Sequence, residues 1–172
     1  MVDDGIEYNH INFKDANGKS RVKMVYDALN DKTYLDPDDI AALTTDDSTE
    51  THGTHTTGTA AGSYTKNGYQ GMAPEADLVL CGAGKNGFTD AALINSLKKI
   101  FDYADLVGKP AVINMSLGGN DGPHDGTDNF NQTIASMKST GHLICISSAN
   151  SGTNQMYIRH QSTGADYTSQ WK

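Results

Sequence analysis

The 172-residue chain has few basic residues, only two cysteines and no long apolar segment. Thirteen Lys and Arg against 21 Asp and Glu give a net charge of −8. That balance argues against nucleic-acid binding, because a binding face must neutralise phosphates. No apolar run approaches the roughly 20 residues that span a bilayer, and no basic segment followed by an apolar one marks a signal peptide. A length of 172 residues is that of one domain, since domains commonly have about 100–200 residues.

The cysteines and glycines sit beside short apolar runs. Cys81 and Cys145 each end or lie within such a run, which predicts two buried free thiols, with a disulfide or a metal pair as the alternative. Glycines cluster over 82–87 and 118–126. Glycine in such phrases indicates a backbone that needs positive φ or a close approach to another group.

Alternating apolar runs and helical patterns predict an α/β fold. Four short apolar runs predict buried strands, and three stretches with helical spacing or small side chains lie between them. The runs are Met1-Val2, 77–81, 111–115 and 142–147, and the helices are predicted at 52–61, 89–108 and 128–138. Because the first run is short, we expect the chain to begin partway along a strand. The alternation is typical of a parallel sheet whose functional loops follow the carboxyl ends of the strands.

The acidic stretch from Asp36 to Glu50 is predicted to be a solvated loop. Calcium binding there is the open alternative, although the stretch lacks the spacing of a twelve-residue calcium loop.

An acid, an imidazole and an amide fall at predicted strand ends or at a helix start. Asp3 follows the first run, His52 begins the helix rich in small residues, and Asn150 follows the last run. We expect these side chains to converge at one edge of the sheet. A zinc site on His52 and His55 is disfavoured, because zinc-protease helices place two histidines four residues apart. His55 is instead predicted to be a packed core residue.

Four phrases together resemble the subtilisin-like serine proteases, or subtilases. They are DDGIEYNH (3–10), HGTHTTGTAAG (52–62), VINMSLGG (112–119) and SANSG (148–152), in this order. The resemblance covers about residues 3–152 and leaves 153–172 unassigned. It implies a subtilisin-like three-layer α/β fold, with helices flanking a parallel sheet, of which residues 1–172 form an N-terminal portion.

The resemblance also implies roles for individual residues. Asp3 matches the triad aspartate, His52 the general base and Asn150 the oxyanion-hole asparagine. Two further segments match the walls between which an extended peptide binds: Ser116, Leu117 and Gly118 on one side, and Gly84, Asn86 and Gly87 on the other. The implied activity is peptide-bond hydrolysis, with no required cofactor and no metal at the site.

Three departures from the family pattern bear on activity. Asp4 stands where the family usually has Ser or Thr, and Ala149 replaces the glycine that usually precedes the oxyanion asparagine. No Gly-Thr-Ser-x-Ala phrase, which would carry the nucleophilic serine, occurs within these residues. We therefore expect the serine to lie beyond Lys172 and this portion alone to be inactive.

Two rival functions stay open on the residues alone. One is a non-catalytic subtilase-like module that binds extended peptides without cutting them. The other is a nucleotide-binding α/β domain, suggested by Gly82-Ala83-Gly84, although that phrase lacks the third glycine of the dinucleotide fingerprint.

A secreted or cell-surface location is implied by the resemblance alone. An unpaired sheet edge at the last strand further predicts self-association.

Overall fold

A computed structural model describes residues 1–63, 68–85, 87–153 and 164. The described chain forms β1 (Val2–Asp3), a 3-10 helix (Ile11–Phe13), β2 (Val22–Asp27), β3 (Lys32–Tyr34), α1 (Pro37–Ala42), α2 (His52–Ala61), β4 (Leu78–Gly82), α3 (Asp90–Val107), β5 (Ala111–Met115), α4 (Asn129–Met137) and β6 (His142–Ile146). Among these helices none is long and apolar enough to cross a membrane.

The strands form two sheets, which contact each other at β1. Four strands pair in the order β1-β4-β2-β3, and β5 pairs with β6. The β1–β4, β2–β4 and β5–β6 pairs are parallel, whereas β2–β3 is antiparallel. Because β1 also contacts β5, the C-terminal end of β1 lies between the loops that follow β4 and β5. The predicted α/β class with a parallel sheet is confirmed.

The sheet buries side chains on both faces, which is the arrangement that parallel strands require. On β2, Met24 and Tyr26 pack into one apolar cluster with α3, while Val22 and Val25 pack into a second cluster on the other face. The strand therefore reads as an almost continuous apolar run broken only by Lys23.

Helix α3 forms where the sequence predicted it. The Thr89 hydroxyl caps its start by accepting the Ala92 amide proton at 3.2 Å, and Gly108 ends it with φ of 65°. Glycine suits this left-handed position because it has no Cβ to clash. One face is buried against the sheet and carries Ala92, Leu93, Ser96, Leu97, Ile100, Phe101 and Ala104.

Arg21 ties the C-terminal end of α2 to the strands. Its side chain is almost completely buried and donates to Ser63 Oγ and to the carbonyl oxygens of Ala76, Asn12 and Ala61. The Ala61 carbonyl is in the last turn of α2, where carbonyl groups lack helical partners. The guanidinium therefore donates a hydrogen bond to a carbonyl group that has no amide partner within the helix.

The structure adds elements that the sequence reading did not include. Strands β2 and β3 were missed, and α1 begins within the stretch predicted to be a solvated loop. Its start is explained by Asp36, whose side chain accepts the amide protons of Asp38 and Asp39, and by Pro37 in the first turn. Asp47, later in the same stretch, is 2% exposed. The solvated-loop prediction is therefore wrong for part of its length.

Two predictions of burial are also wrong. Cys81 is buried as expected, but Cys145 is exposed, because its side chain lies on the face of the β5–β6 pair that no described element covers. His55 is exposed and is no core residue, because the buried side of α2 is formed by Gly53, Thr57 and Ala61.

Candidate active site

Asp3 and His52 are in direct contact at the end of β1. Asp3 is completely buried, whereas the His52 side chain at the start of α2 is 48% exposed. The His52 Nδ1 atom lies 2.6 Å from Asp3 Oδ1, the distance of a charge-assisted hydrogen bond. With Nδ1–H donating to the carboxylate, the ring presents Nε2 for proton exchange.

The Asp3 carboxylate has two further donors. The Asp4 amide donates to Oδ1 at 2.9 Å, and the Thr56 hydroxyl donates to Oδ2 at 2.9 Å. Both oxygens of this buried group are thus satisfied, as a buried charge requires. The sequence reading missed Thr56, although its position four residues after His52 places both side chains on the same face of α2.

The environment of His52 favours its protonated form. Its pKa is raised above the usual 6.5, chiefly by the hydrogen bond to Asp3 and further by the charges of Asp3, Asp4 and Glu50, while partial burial opposes the shift. The pKa of Asp4 is also raised, first by burial and then by the negative charge of Asp3 and Glu50.

The first turn of α2 is joined to the loop after β1 by its backbone. The Gly53 amide donates to the Asp4 carbonyl at 2.7 Å, and the Thr54 amide donates to the Gly5 carbonyl at 3.2 Å. These are amides that a helix start leaves without helical partners. A Cβ added at Gly53 would lie 2.5 Å from the Asp4 carbonyl oxygen and 3.1 Å from the Asp3 Cβ. Glycine at this position therefore permits the close approach that brings His52 to Asp3.

Asp46 stabilises the same loop through a hydrogen bond to its backbone. Its Oδ1 accepts the Ile6 amide proton at 2.7 Å, while its Oδ2 is buried without a hydrogen-bond partner among the described residues. Burial raises the pKa of this carboxyl group, and the hydrogen bonds from the backbone lower it in part. Sequence reasoning had placed Asp46 in a solvated loop, and no local pattern distinguished it from its acidic neighbours.

Three side chains at the site offer ligand atoms for a metal ion. Asp3, Asp4 and His52 each offer one ligand atom, and these atoms lie within 4.8 Å of one another. Both oxygens of Asp3 already accept hydrogen bonds from the protein, so a cation would have to displace them. The arrangement fits proton transfer better than metal ligation.

Asn150 lies on the loop after β6 and is exposed. Ala149, immediately before it, has φ of 59°, a left-handed conformation that costs an alanine energy. This loop touches the one after β5, because a Cβ added at Gly118 would lie 2.1 Å from the Ala149 Cβ. Within the described part of the chain no hydrogen bond joins Asn150 to Asp3 or His52. Hydrogen bonding among the described residues therefore links only two of the three predicted site residues.

Ser116, Leu117 and Gly118 follow β5 as predicted. The Ser147 hydroxyl donates to the Leu117 carbonyl at 2.7 Å, and the side-chain amide of Asn114 donates to the Ser116 hydroxyl at 3.0 Å. Ser116 and Leu117 are partly exposed and Gly118 is exposed.

The segment predicted to form the opposite wall follows β4. Gly84 is buried and forms an isolated antiparallel bridge with Phe88. Gly87 is exposed, with φ of 124°, and Asn86 lies outside the described residues. The backbone of Gly84 is therefore already paired with Phe88 in the same loop.

Comparison with known proteins finds a matching family and similar solved structures. A model of the subtilase family matches residues 1–171. The structure of the Clostridium perfringens CspB protease is similar, with a TM-score of 0.73 and 26% sequence identity. The match covers 84% of this chain and 35% of the CspB chain, so this chain spans about a third of that protein's length. No curated protein gives a significant match.

Proposed function

This chain belongs to the subtilase family, and we propose that it supplies the aspartate, histidine and oxyanion asparagine of a serine endopeptidase. The observation that carries the proposal is the hydrogen bond of 2.6 Å between buried Asp3 and half-exposed His52. In this proposal the nucleophilic serine lies beyond Lys172.

The proposed chemistry is acyl transfer at a peptide bond. His52 Nε2 takes the proton of the serine hydroxyl as the oxygen attacks the peptide carbonyl carbon, and Asp3 stabilises the imidazolium that forms. When the C–N bond breaks, His52 returns that proton to the leaving amine. A water then attacks the acyl-enzyme by the same route, with His52 again as base.

Asn150 is proposed to donate a hydrogen bond to the oxyanion of the tetrahedral intermediate. In subtilisin, a member of the same family, removal of this donor lowers turnover by about 10²–10³-fold. The exposure of Asn150 and its position after a parallel strand support this assignment.

An extended peptide is the proposed substrate. The loops after β4 and β5 follow the two strands that contact β1, and His52 at the end of β1 is half-exposed. The Leu117 carbonyl is bonded to Ser147, and successive carbonyl groups of an extended chain point to opposite sides. The Ser116 and Gly118 backbone groups are therefore the ones proposed to pair with substrate. Secretion or surface location remains an expectation from the family.

The test uses the longer protein that contains the serine. His52→Ala should abolish peptide hydrolysis while circular dichroism and thermal unfolding stay unchanged. His55→Ala is the matched control, because His55 is an exposed histidine on the same helix, and it should retain activity. Hydrolysis that survives His52→Ala would contradict the proposal. A longer protein with no Gly-Thr-Ser phrase that binds peptides without cleaving them would instead be a non-catalytic module.

A further inference from the structure

We propose that Thr56 is a positioning residue for the proton relay, because its hydroxyl holds Asp3 Oδ2 and so directs Oδ1 at His52 Nδ1. The catalytic meaning of this assignment rests on the proposed function, but the positioning itself can be measured without catalysis.

The geometry joins two residues of one helix to the two oxygens of one carboxylate. His52 Nδ1 lies 2.6 Å from Asp3 Oδ1, and Thr56 Oγ1 lies 2.9 Å from Asp3 Oδ2. Residues four apart lie one above the other on a helix face. A carboxylate torsion is broad and roughly two-fold. His52 and the Asp4 amide both hold Oδ1, so Thr56 is the partner that fixes Oδ2 and with it the plane of the group.

The Thr56 hydroxyl has one proton and a choice of acceptors. The Gly53 carbonyl, three residues earlier on the helix, lies 3.2 Å from Oγ1, and the Met1 sulfur lies at 3.8 Å. The carboxylate oxygen is closer than either and is charged. Hydrogen bonds to ionised acceptors are roughly twice as strong as neutral ones, so the proton points to Asp3.

Without the Thr56 hydroxyl, Asp3 Oδ1 is free to turn away from His52 Nδ1. A poorer hydrogen bond from Asp3 stabilises the imidazolium less, so the pKa of His52 should fall. The other charges that face this pair are Asp4 and Glu50 beside His52, and the Met1 amino group beside Asp3. None of them changes when the Thr56 hydroxyl is removed.

The experiment follows the His52 imidazole by NMR through a pH titration of the 172-residue chain. Thr56→Val keeps the side-chain shape and removes the donor, and we expect the pKa of His52 to fall by about half a unit. Thr56→Ser restores a hydroxyl and should return the pKa to the wild-type value. If Thr56→Val does not fold, Thr56→Ala removes the same donor and serves in its place.

Thr59→Val is the matched control. Thr59 lies on the same helix, and its hydroxyl donates to the His55 carbonyl at 3.1 Å, away from Asp3. This variant should leave the pKa of His52 unchanged. A pKa that stays constant or rises in Thr56→Val would overturn the proposal, as would failure of Thr56→Ser to restore it.

The same variants separate this inference from the proposed function. In the longer protein, the acidic limb of the pH dependence of kcat/KM should move to lower pH with the pKa of His52. If the longer protein does not hydrolyse peptides, the proposed function fails, while the titration still decides the role of Thr56.

Discussion

The Gly53 amide donates to the Asp4 carbonyl oxygen at 2.7 Å, and this contact brings the start of α2 against the end of β1. Gly53→Ala would place a Cβ 2.5 Å from that oxygen and 2.5 Å from the Ile6 Cγ1. We expect it to lower the free energy of unfolding by about 1–3 kcal/mol, the usual cost of overpacking. Urea denaturation measures the change, and NMR should show a smaller upward shift of the His52 pKa.

Gly58→Ala provides the control for that change. Gly58 lies on the same helix with nothing within 4 Å of an added Cβ, so alanine should raise the free energy of unfolding by about 0.5–1 kcal/mol. Equal effects of the two substitutions would show that the helix start does not depend on close approach.

The Asp3–His52 contact predicts a pH-dependent stability. The pKa of His52 in the folded chain is raised above 6.5. Its contribution is therefore complete below the unfolded-state pKa and is lost as pH rises through the folded-state pKa. The free energy of unfolding of wild type minus that of His52→Gln should be larger at about pH 5 than at about pH 9. A difference that does not vary with pH would show that protonation of His52 is not coupled to folding.

Ala149 and Gly118 predict a pair of opposite substitutions. Ala149→Gly should stabilise the chain by about 1 kcal/mol, because glycine adopts positive φ without the cost that alanine has. Gly118→Ala should destabilise it by about 1–3 kcal/mol, since its Cβ would overlap that of Ala149.

The double variant tests whether the two positions interact. Ala149→Gly removes the Cβ that lies nearest to the Gly118 site, but the Ala149 Cα would still lie 2.8 Å from the new Cβ. It should therefore restore part of the loss, with an interaction energy of at least about 0.5 kcal/mol. Strictly additive effects in urea denaturation would mean that the loops after β5 and β6 do not touch.

The outer face of β5–β6 predicts self-association with a second copy of the chain. Val112 and Leu143 are paired neighbours across this ladder and are 66% and 59% exposed. In the described part of the chain β6 pairs only with β5, so its other edge offers free backbone groups. Leu143→Thr should weaken the association by about tenfold, because burying a leucine contributes roughly 1.5 kcal/mol or more.

Sedimentation equilibrium measures this association. Leu35→Thr is the control, because Leu35 is 51% exposed but lies after β3, away from this face. It should leave the association unchanged. A wild-type chain that stays monomeric at high concentration would contradict the prediction.

The sequence predicted those features that local patterns encode. The Thr89 cap and the Gly108 stop bound α3, and the histidine phrase located the start of α2. Strand β2 was missed because Lys23 interrupts its apolar run, and its assignment depends on its pairing with β4 rather than on its own residues. The exposure of His55 was missed for a related reason: which face of α2 is buried is set by Gly53 and its contact with the Asp4 backbone.

In the candidate site, too, some features were predicted from the sequence and others depend on tertiary contacts. Asp3 and His52 were predicted from a family resemblance, and their contact agrees with the predicted convergence of these two side chains. Thr56 was not singled out, because a threonine in a helix rich in small residues carries no local signal until the buried carboxylate is placed beside it. The buried Asp46 oxygen that has no hydrogen-bond partner likewise depends on the conformation of its loop, which no residue pattern predicts.

Strand β1 is only two residues long, and its partners in the ladder come late in the chain: Val2 pairs with Cys81 and Asp3 with Gly82. During translation α2 therefore leaves the ribosome before the strand that anchors the carboxylate. The strand pairing that holds Asp3 in the sheet can therefore form only after residue 82 has been synthesised.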